Sequence, residues 1–280
     1  MIANIYKLSP MQEGMLYHTL AEKESTAYFE QFIFTINGEI SPGLLEKSFN
    51  ILIQRYDVLR TIFHMDEKNR PLQVVMKQRK CKIETRDISQ MSKEAQEAYL
   101  QDYMAEDKKR GFDLTRDLLM RLTLIKTGPK ANRLLWSFHH ILMDGWCLGI
   151  IFKELTRIYY SLKNGEPVRL EPVTPYVNYI KWLEGQDKEQ GKRYWREYLE
   201  GYEEQAHMKK FGVREAGQET GYRVATYTFV VEEEIAGRLN RQAAENSSTI
   251  NTVLQTLWGI LLQRYHHTQD VVYGAVVSGR

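Results

Sequence analysis

The sequence predicts a mixed α/β protein, and three observations carry that prediction. Apolar residues recur at i, i+3 and i+4 in several stretches, as one buried face of a helix requires. Other stretches alternate, or run apolar briefly between turn residues, as strands do. The two kinds interleave along the chain, and serine, proline, glycine or asparagine marks the breaks between them.

Ser9-Pro10-Met11-Gln12 reads as a helix start: Ser9 caps, Pro10 fits the first helical position, and Gln12 reaches back to complete a capping box. Residues 32–36 alternate enough for a strand. Ser41-Pro42 repeats the start signal for a helix whose face is Leu44, Leu45, Phe49, Leu52 and Ile53. Strands are expected at 59–65, 72–76 and 82–85, followed by a polar, exposed helix at 93–109. Residues 118–126 and 133–138 read as paired strands across the turn Gly128-Pro129-Lys130-Ala131-Asn132. From Cys147, Leu148, Ile151, Phe152, Leu155, Ile158 and Tyr159 repeat at helical spacing as far as Asn164-Gly165. Glu171-Pro172-Val173-Thr174-Pro175 marks a linker, with helices expected at 176–183 and 188–199. A polar loop at 209–221 precedes a strand at 222–231, helices at 233–245 and from Thr249, and a last strand at 270–277. The expected division is a first subdomain at 1–171, a helical linker region at 172–221, and the start of a second subdomain at 222–280. That last piece, about 60 residues, is small for a core of its own, and its final strand has no successor; the chain reads as cut short.

Bulk properties exclude several functions. Thirty-eight Lys and Arg against 36 Asp and Glu leave a formal charge of +2, and no basic block with interleaved aromatics appears, which argues against a nucleic-acid partner. No apolar run is long enough to span a bilayer, and the N-terminus has no signal-peptide core. With only Cys81 and Cys147 there is no disulfide framework, and the cytoplasm is the expected compartment.

The chemistry-bearing stretch is His139-His140-Ile141-Leu142-Met143-Asp144-Gly145, at the end of an apolar strand pattern. Adjacent strand residues point to opposite faces, so one imidazole enters a given cavity. Asp144 stands one short loop further on, able to orient an imidazole or to be held by an arginine. Gly145 allows a sharp bend or a bare N–H aimed into the site. Two structural histidines beside a turn are the plain alternative. Zinc is disfavoured because adjacent strand histidines diverge and no third ligand stands at metal spacing. A Cys147–His140 nucleophile pair is a further alternative, although Cys147 opens an apolar helical face. His266-His267 reads as a helix end.

This stretch matches the HHxxxDG motif of the condensation domains of nonribosomal peptide synthetases, a motif shared with chloramphenicol acetyltransferase-like acyltransferases. Ser9-Pro10-Met11-Gln12-Glu13-Gly14-Met15 resembles the first core motif of condensation domains. Arg55-Tyr56-Asp57-Val58-Leu59-Arg60-Thr61-Ile62-Phe63 resembles the second. Tyr176-Val177-Asn178-Tyr179-Ile180-Lys181-Trp182 is a looser match to the fourth, with Asn178 where an aspartate is frequent. Residues 271–280 resemble the approach to the fifth.

The resemblance implies an α+β two-layer sandwich, a chloramphenicol acetyltransferase-like half followed by an incomplete second half, with the active site in a tunnel between them. It implies amide-bond formation between a donor thioester and the amine of an acceptor, both tethered to carrier domains. The upstream and downstream peptidyl carrier domains and an adjacent adenylation domain are the implied partners. The phosphopantetheine arms belong to the carriers, and no resident cofactor or metal is implied. His140 is carried over as the catalytic residue, with His139, Asp144, Gly145 and Arg60 in support. Arg60 is implied as the family's partner for Asp144, and Ser278 is a candidate to line the tunnel from the second half. The phrase Ser9 to Leu16 looks more like the subclass that takes a donor ending in a D-residue. With half a tunnel, residues 1–280 alone are expected to be inactive. Two rivals are a coenzyme A-dependent acyltransferase of the same superfamily and a noncatalytic carrier-docking module.

Overall fold

The first helix begins where its cap dictates. In the computed structural model, which describes residues 1–22, 25–203 and 227–276, Ser9 accepts from the Gln12 N–H and Gln12 returns Oε1 to the Ser9 N–H, so helix α1 (Pro10–Ala21) opens on a complete capping box. The chain divides into two compact units, Met1–Gln186 and Asp187–Arg280.

In the first unit, strands β1 (Ile2–Lys7), β4 (Pro71–Met76) and β3 (Thr61–Met65) form an antiparallel sheet in the order β1-β4-β3. A second sheet has the order β2-β7-β6-β5: β2 (Phe29–Asn37), β7 (Ala131–His139), β6 (Met120–Gly128) and β5 (Glu84–Asp87). It is antiparallel except for β5, which runs parallel to β6. The β2–β7 register sets Phe29 opposite His139, and the β6–β7 register sets Met120 opposite Phe138.

Alternation along β7 gives each face its partner. Leu134, Trp136 and Phe138 join the main core, built with Phe49, Leu52 and Ile53 of helix α2 (Pro42–Arg55) and Ile151, Leu155 and Ile158 of helix α4 (Gly145–Asn164). Phe49 meets the Trp136 ring edge-on at 5.5 Å, a favoured aromatic geometry. On the other face, Ser137 of β7 and Arg121 of β6 meet helix α3 (Lys93–Arg110). That helix has no apolar stripe, and of its residues only Leu100 and Asp107 are buried. A buried polar cluster fastens it instead. Asp107 pairs with Arg121 at 2.8 Å, accepts from Ser137 Oγ at 2.5 Å and from Gln31 Nε2 at 3.1 Å, and the Arg121 guanidinium lies 4.0 Å over the Phe112 ring. Helix α5 (Tyr176–Glu184) belongs to this unit: Ile180 is buried and Glu184 pairs with Lys7.

Two elements of the first unit differ from the sequence reading. The edge strand β1 has no counterpart in it; a register shift between Ile2 and Asn4 breaks the alternation there. The expected strand at 59–65 is a 3-10 turn at Asp57–Arg60 followed by β3.

The second unit contains helices α6 (Lys188–Tyr198), α7 (Glu233–Glu245) and α8 (Ile250–His266); the last two pack together, and Ala243 and Leu262 are their buried residues. The expected strands at 222–231 and 270–277 are not strands among the described residues; the polar loop at 209–221 and residues 222–226 lie outside them. Tyr227, Phe229 and Val230 carry a strand-like sequence but are exposed, and a strand exists only with a hydrogen-bonded neighbour. No described helix is long and apolar enough to cross a membrane.

Candidate active site

Strand β7 ends on His139, and the chain turns at His140 under hydrogen-bond control. The His139 N–H donates to Leu119 O at 3.0 Å, His140 N–H to Tyr28 O at 2.8 Å, and Leu142 N–H to His139 O at 3.1 Å. Ile141, Leu142 and Met143 are all buried, so three apolar side chains pin the turn from beneath.

The two imidazoles have different environments. His139 is 5% exposed. Its Nδ1 accepts from the Ile141 N–H at 3.2 Å, which places the ring proton on Nε2. Nε2 meets Thr19 Oγ1 at 3.3 Å, whose own proton goes to Met15 O at 2.8 Å. Burial, with His140 as the smaller cause, pushes the His139 imidazole down to about 4. It is a neutral packing residue at pH 7. His140 is half-buried, and its Nδ1 lies 2.8 Å from Met143 O. A carbonyl only accepts, so Nδ1 carries the proton and Nε2 carries the lone pair of the neutral ring. The turn thus sets the two rings as opposite tautomers, with the proton on Nε2 in His139 and on Nδ1 in His140.

Asp144 is the N-cap of α4. Its Oδ1 accepts from the Trp146 N–H at 3.1 Å and the Cys147 N–H at 3.3 Å, and lies 3.3 Å from Cys147 Sγ. Gly145 is the first residue of that helix, and nothing lies within 4 Å of where a Cβ would stand. Its N–H is therefore one of the helix-start donors that lie before the first intrahelical bonds.

Arg60 is not where the resemblance places it. It is buried and pairs with Asp57, not with Asp144. Its other donors reach Met76 O at 2.8 Å, Gln54 O at 3.0 Å and Ile53 O at 3.4 Å. The last carbonyls of α2 lack intrahelical donors, and a five-donor guanidinium in the following 3-10 turn satisfies them. Arg60 closes α2 against β4. Ser278 lies outside the described residues.

The structure also brings in residues that spacing did not reveal. Tyr28 and Thr19 hold the two histidines, and the buried Gln12 amide donates to Ile141 O at 3.2 Å. On the His139 side a cavity of 640 Å³ is lined by His18, Thr19, Tyr28, Lys108, Phe112 and His139 among others. Among the described residues no group of three or more His, Cys, Asp or Glu is arranged to hold a metal.

The chain is 46% identical over 279 residues to gramicidin S synthase 2 of Brevibacillus brevis, covering 100% of the chain and 6% of that protein. It is 43% identical over 279 residues to bacitracin synthase 3 of Bacillus licheniformis, covering 100% of the chain and 4% of that protein. The chain therefore spans only a small part of the length of these relatives. Its fold is similar to a variant of the starter condensation domain of rhizomide synthetase RzmA, with TM-score 0.76 and 19% identity over 95% of the chain and 60% of that structure. It is also similar to the first condensation domain of the CDA synthetase, with TM-score 0.72 and 17% identity over 96% of the chain and 64% of that structure. Residues 2–280 match the family profile described as Condensation domain, and the chain belongs to that family.

Proposed function

We propose that the chain forms an amide bond between a donor thioester and the amine of an aminoacyl acceptor, each carried on the phosphopantetheine arm of a peptidyl carrier domain. The carriers upstream and downstream and an adenylation domain are its working partners, as the multidomain relatives suggest. The observation that carries the reading is the His140 ring, held by Met143 O with its lone pair on Nε2.

An α-amino group has a pKa of about 8, so much of the acceptor is already neutral near pH 7. Its nitrogen attacks the thioester carbonyl and becomes cationic in the tetrahedral species. The Nε2 of His140 takes that proton, the C–S bond breaks as the C–N bond is kept, and the imidazolium returns the proton to the departing thiolate. The Gly145 N–H is the donor offered to the developing oxyanion. Asp144 fixes the start of α4, and His139 packs beneath. Holding two tethered reactants together contributes the larger share of the acceleration, since effective molarities reach about 10⁵ M or more. The phrase Ser9 to Leu16 supports a donor ending in a D-residue.

His140→Ala is expected to lower the condensation rate by about 10²–10⁴ in the polypeptide in which this chain occurs, with both carriers loaded. Full rate in that variant would overturn the assignment. Transfer from free acyl-coenzyme A at a rate matching the carrier-borne donor would replace it with the coenzyme A-dependent reading.

A further inference from the structure

Gln12 is the third residue of α1, and a capping box accounts for its presence in the sequence. The structure gives it more partners than a cap needs. Gln12 is 1% exposed. Its Oε1 accepts from the Ser9 N–H at 3.0 Å and from Gln73 Nε2 at 3.2 Å. Its Nε2 donates to Gln73 Oε1 at 3.4 Å and to Ile141 O at 3.2 Å. Gln73 is itself fully buried and donates to Lys7 O at 2.8 Å. The orientation of the Gln12 amide is fixed: turned over, it would face the Ser9 N–H with a donor and Ile141 O with an acceptor.

Ile141 follows His140 directly, and its two backbone polar groups are both held, the N–H by His139 Nδ1 and the carbonyl by Gln12. The carbonyl that orients the His140 ring, Met143 O, lies two residues beyond that anchor. A rotation of the 141–142 peptide would move Met143 O and release the ring proton from Nδ1. We propose that Gln12 is a positioning residue for His140, acting through Ile141 O to hold the tautomer that leaves the lone pair on Nε2. The catalytic part of this inference rests on the function proposed above; the tautomer part does not.

Glutamate separates the two roles, because it serves a capping box as well as glutamine does but, ionised, cannot donate to Ile141 O. In Gln12→Glu at pH 8, kcat with both carriers loaded is expected to fall roughly 10- to 100-fold, the range a small misplacement costs, with KM for each carrier within about twofold. Nitrogen-15 spectra of the chain are expected to show His140 losing its protonated Nδ1 signature. Gln12→Met, which has the length but neither donor nor charge, gives the same two changes if the buried glutamate prevents folding. Ser9→Ala weakens the cap alone and is expected to leave kcat within about twofold of the parent. Folded variants at Gln12 that keep the parent kcat, or that lose activity with the His140 nitrogen signals unchanged, would overturn the proposal. Should the parent itself show no condensation, the functional reading fails while the nitrogen spectra still decide the positioning role.

Discussion

Lowering the pH tests the electrostatics of the histidine turn directly. The His139 imidazole is pushed down to about 4 in the folded chain, against about 6.5 in an unfolded one. The unfolded state therefore binds the proton more tightly between those values, and stability contributed by the neutral ring is complete above pH 6.5 and falls as pH drops towards 4. Two and a half pKa units correspond to about 3 kcal/mol at most, of which about 2 kcal/mol is lost between pH 7 and pH 5. His139 is 5% exposed and both ring nitrogens have partners, so solvent screening discounts this little. His139→Gln supplies the control, because an amide can accept from Ile141 and donate to Thr19 without titrating. Amide exchange of the β6–β7 ladder at pH 7 and pH 5 reports opening of the first unit. The parent is expected to lose about 2 kcal/mol more than His139→Gln over that interval. Parallel curves would refute the reasoning, since they would mean that His139 protonates in the folded state as readily as in water.

Two further perturbations address the scaffold. Asp144→Ala removes the cap of α4 and is expected to cost about 0.5–2 kcal/mol in thermal or urea unfolding, most of it recovered by Asp144→Asn. Asp107→Ala leaves the half-buried Arg121 without its carboxylate and is expected to cost about 3–5 kcal/mol, whereas the double change Asp107→Leu with Arg121→Met should be much milder. Urea denaturation of the single and double variants checks the difference.

What was legible in the sequence was local. The Ser9–Gln12 capping box, the face of α2 and the face of α4 follow from residues within a few positions of one another. The end of β7 at the histidine pair was equally readable, because the apolar pattern stops there. The contacts that complete the site are long-range. Nothing near Gln12 announces Ile141 as its partner, and nothing in the polar helix α3 announces that Asp107 will be buried against Arg121, Ser137 and Gln31. Arg60 shows the limit of a motif: its position was readable, but the partner was not, because the fold engages its donors with Asp57 and the open end of α2. The β-patterned segments of the second unit show the same limit, since alternation along one segment does not supply the neighbour that makes it a strand.

The last residue of α2 has one more consequence. Arg55 grips Glu154 with two nitrogens, at 2.9 and 3.0 Å, while Tyr56 donates to the same carboxylate at 2.8 Å. Glu154 stands midway along α4, and Asp144 secures that helix at its start. A helix gripped at its waist by the end of α2 cannot slide along it by a turn without breaking all three of those bonds. Any displacement of α4 along its axis must therefore carry the end of α2 with it or give up the clamp.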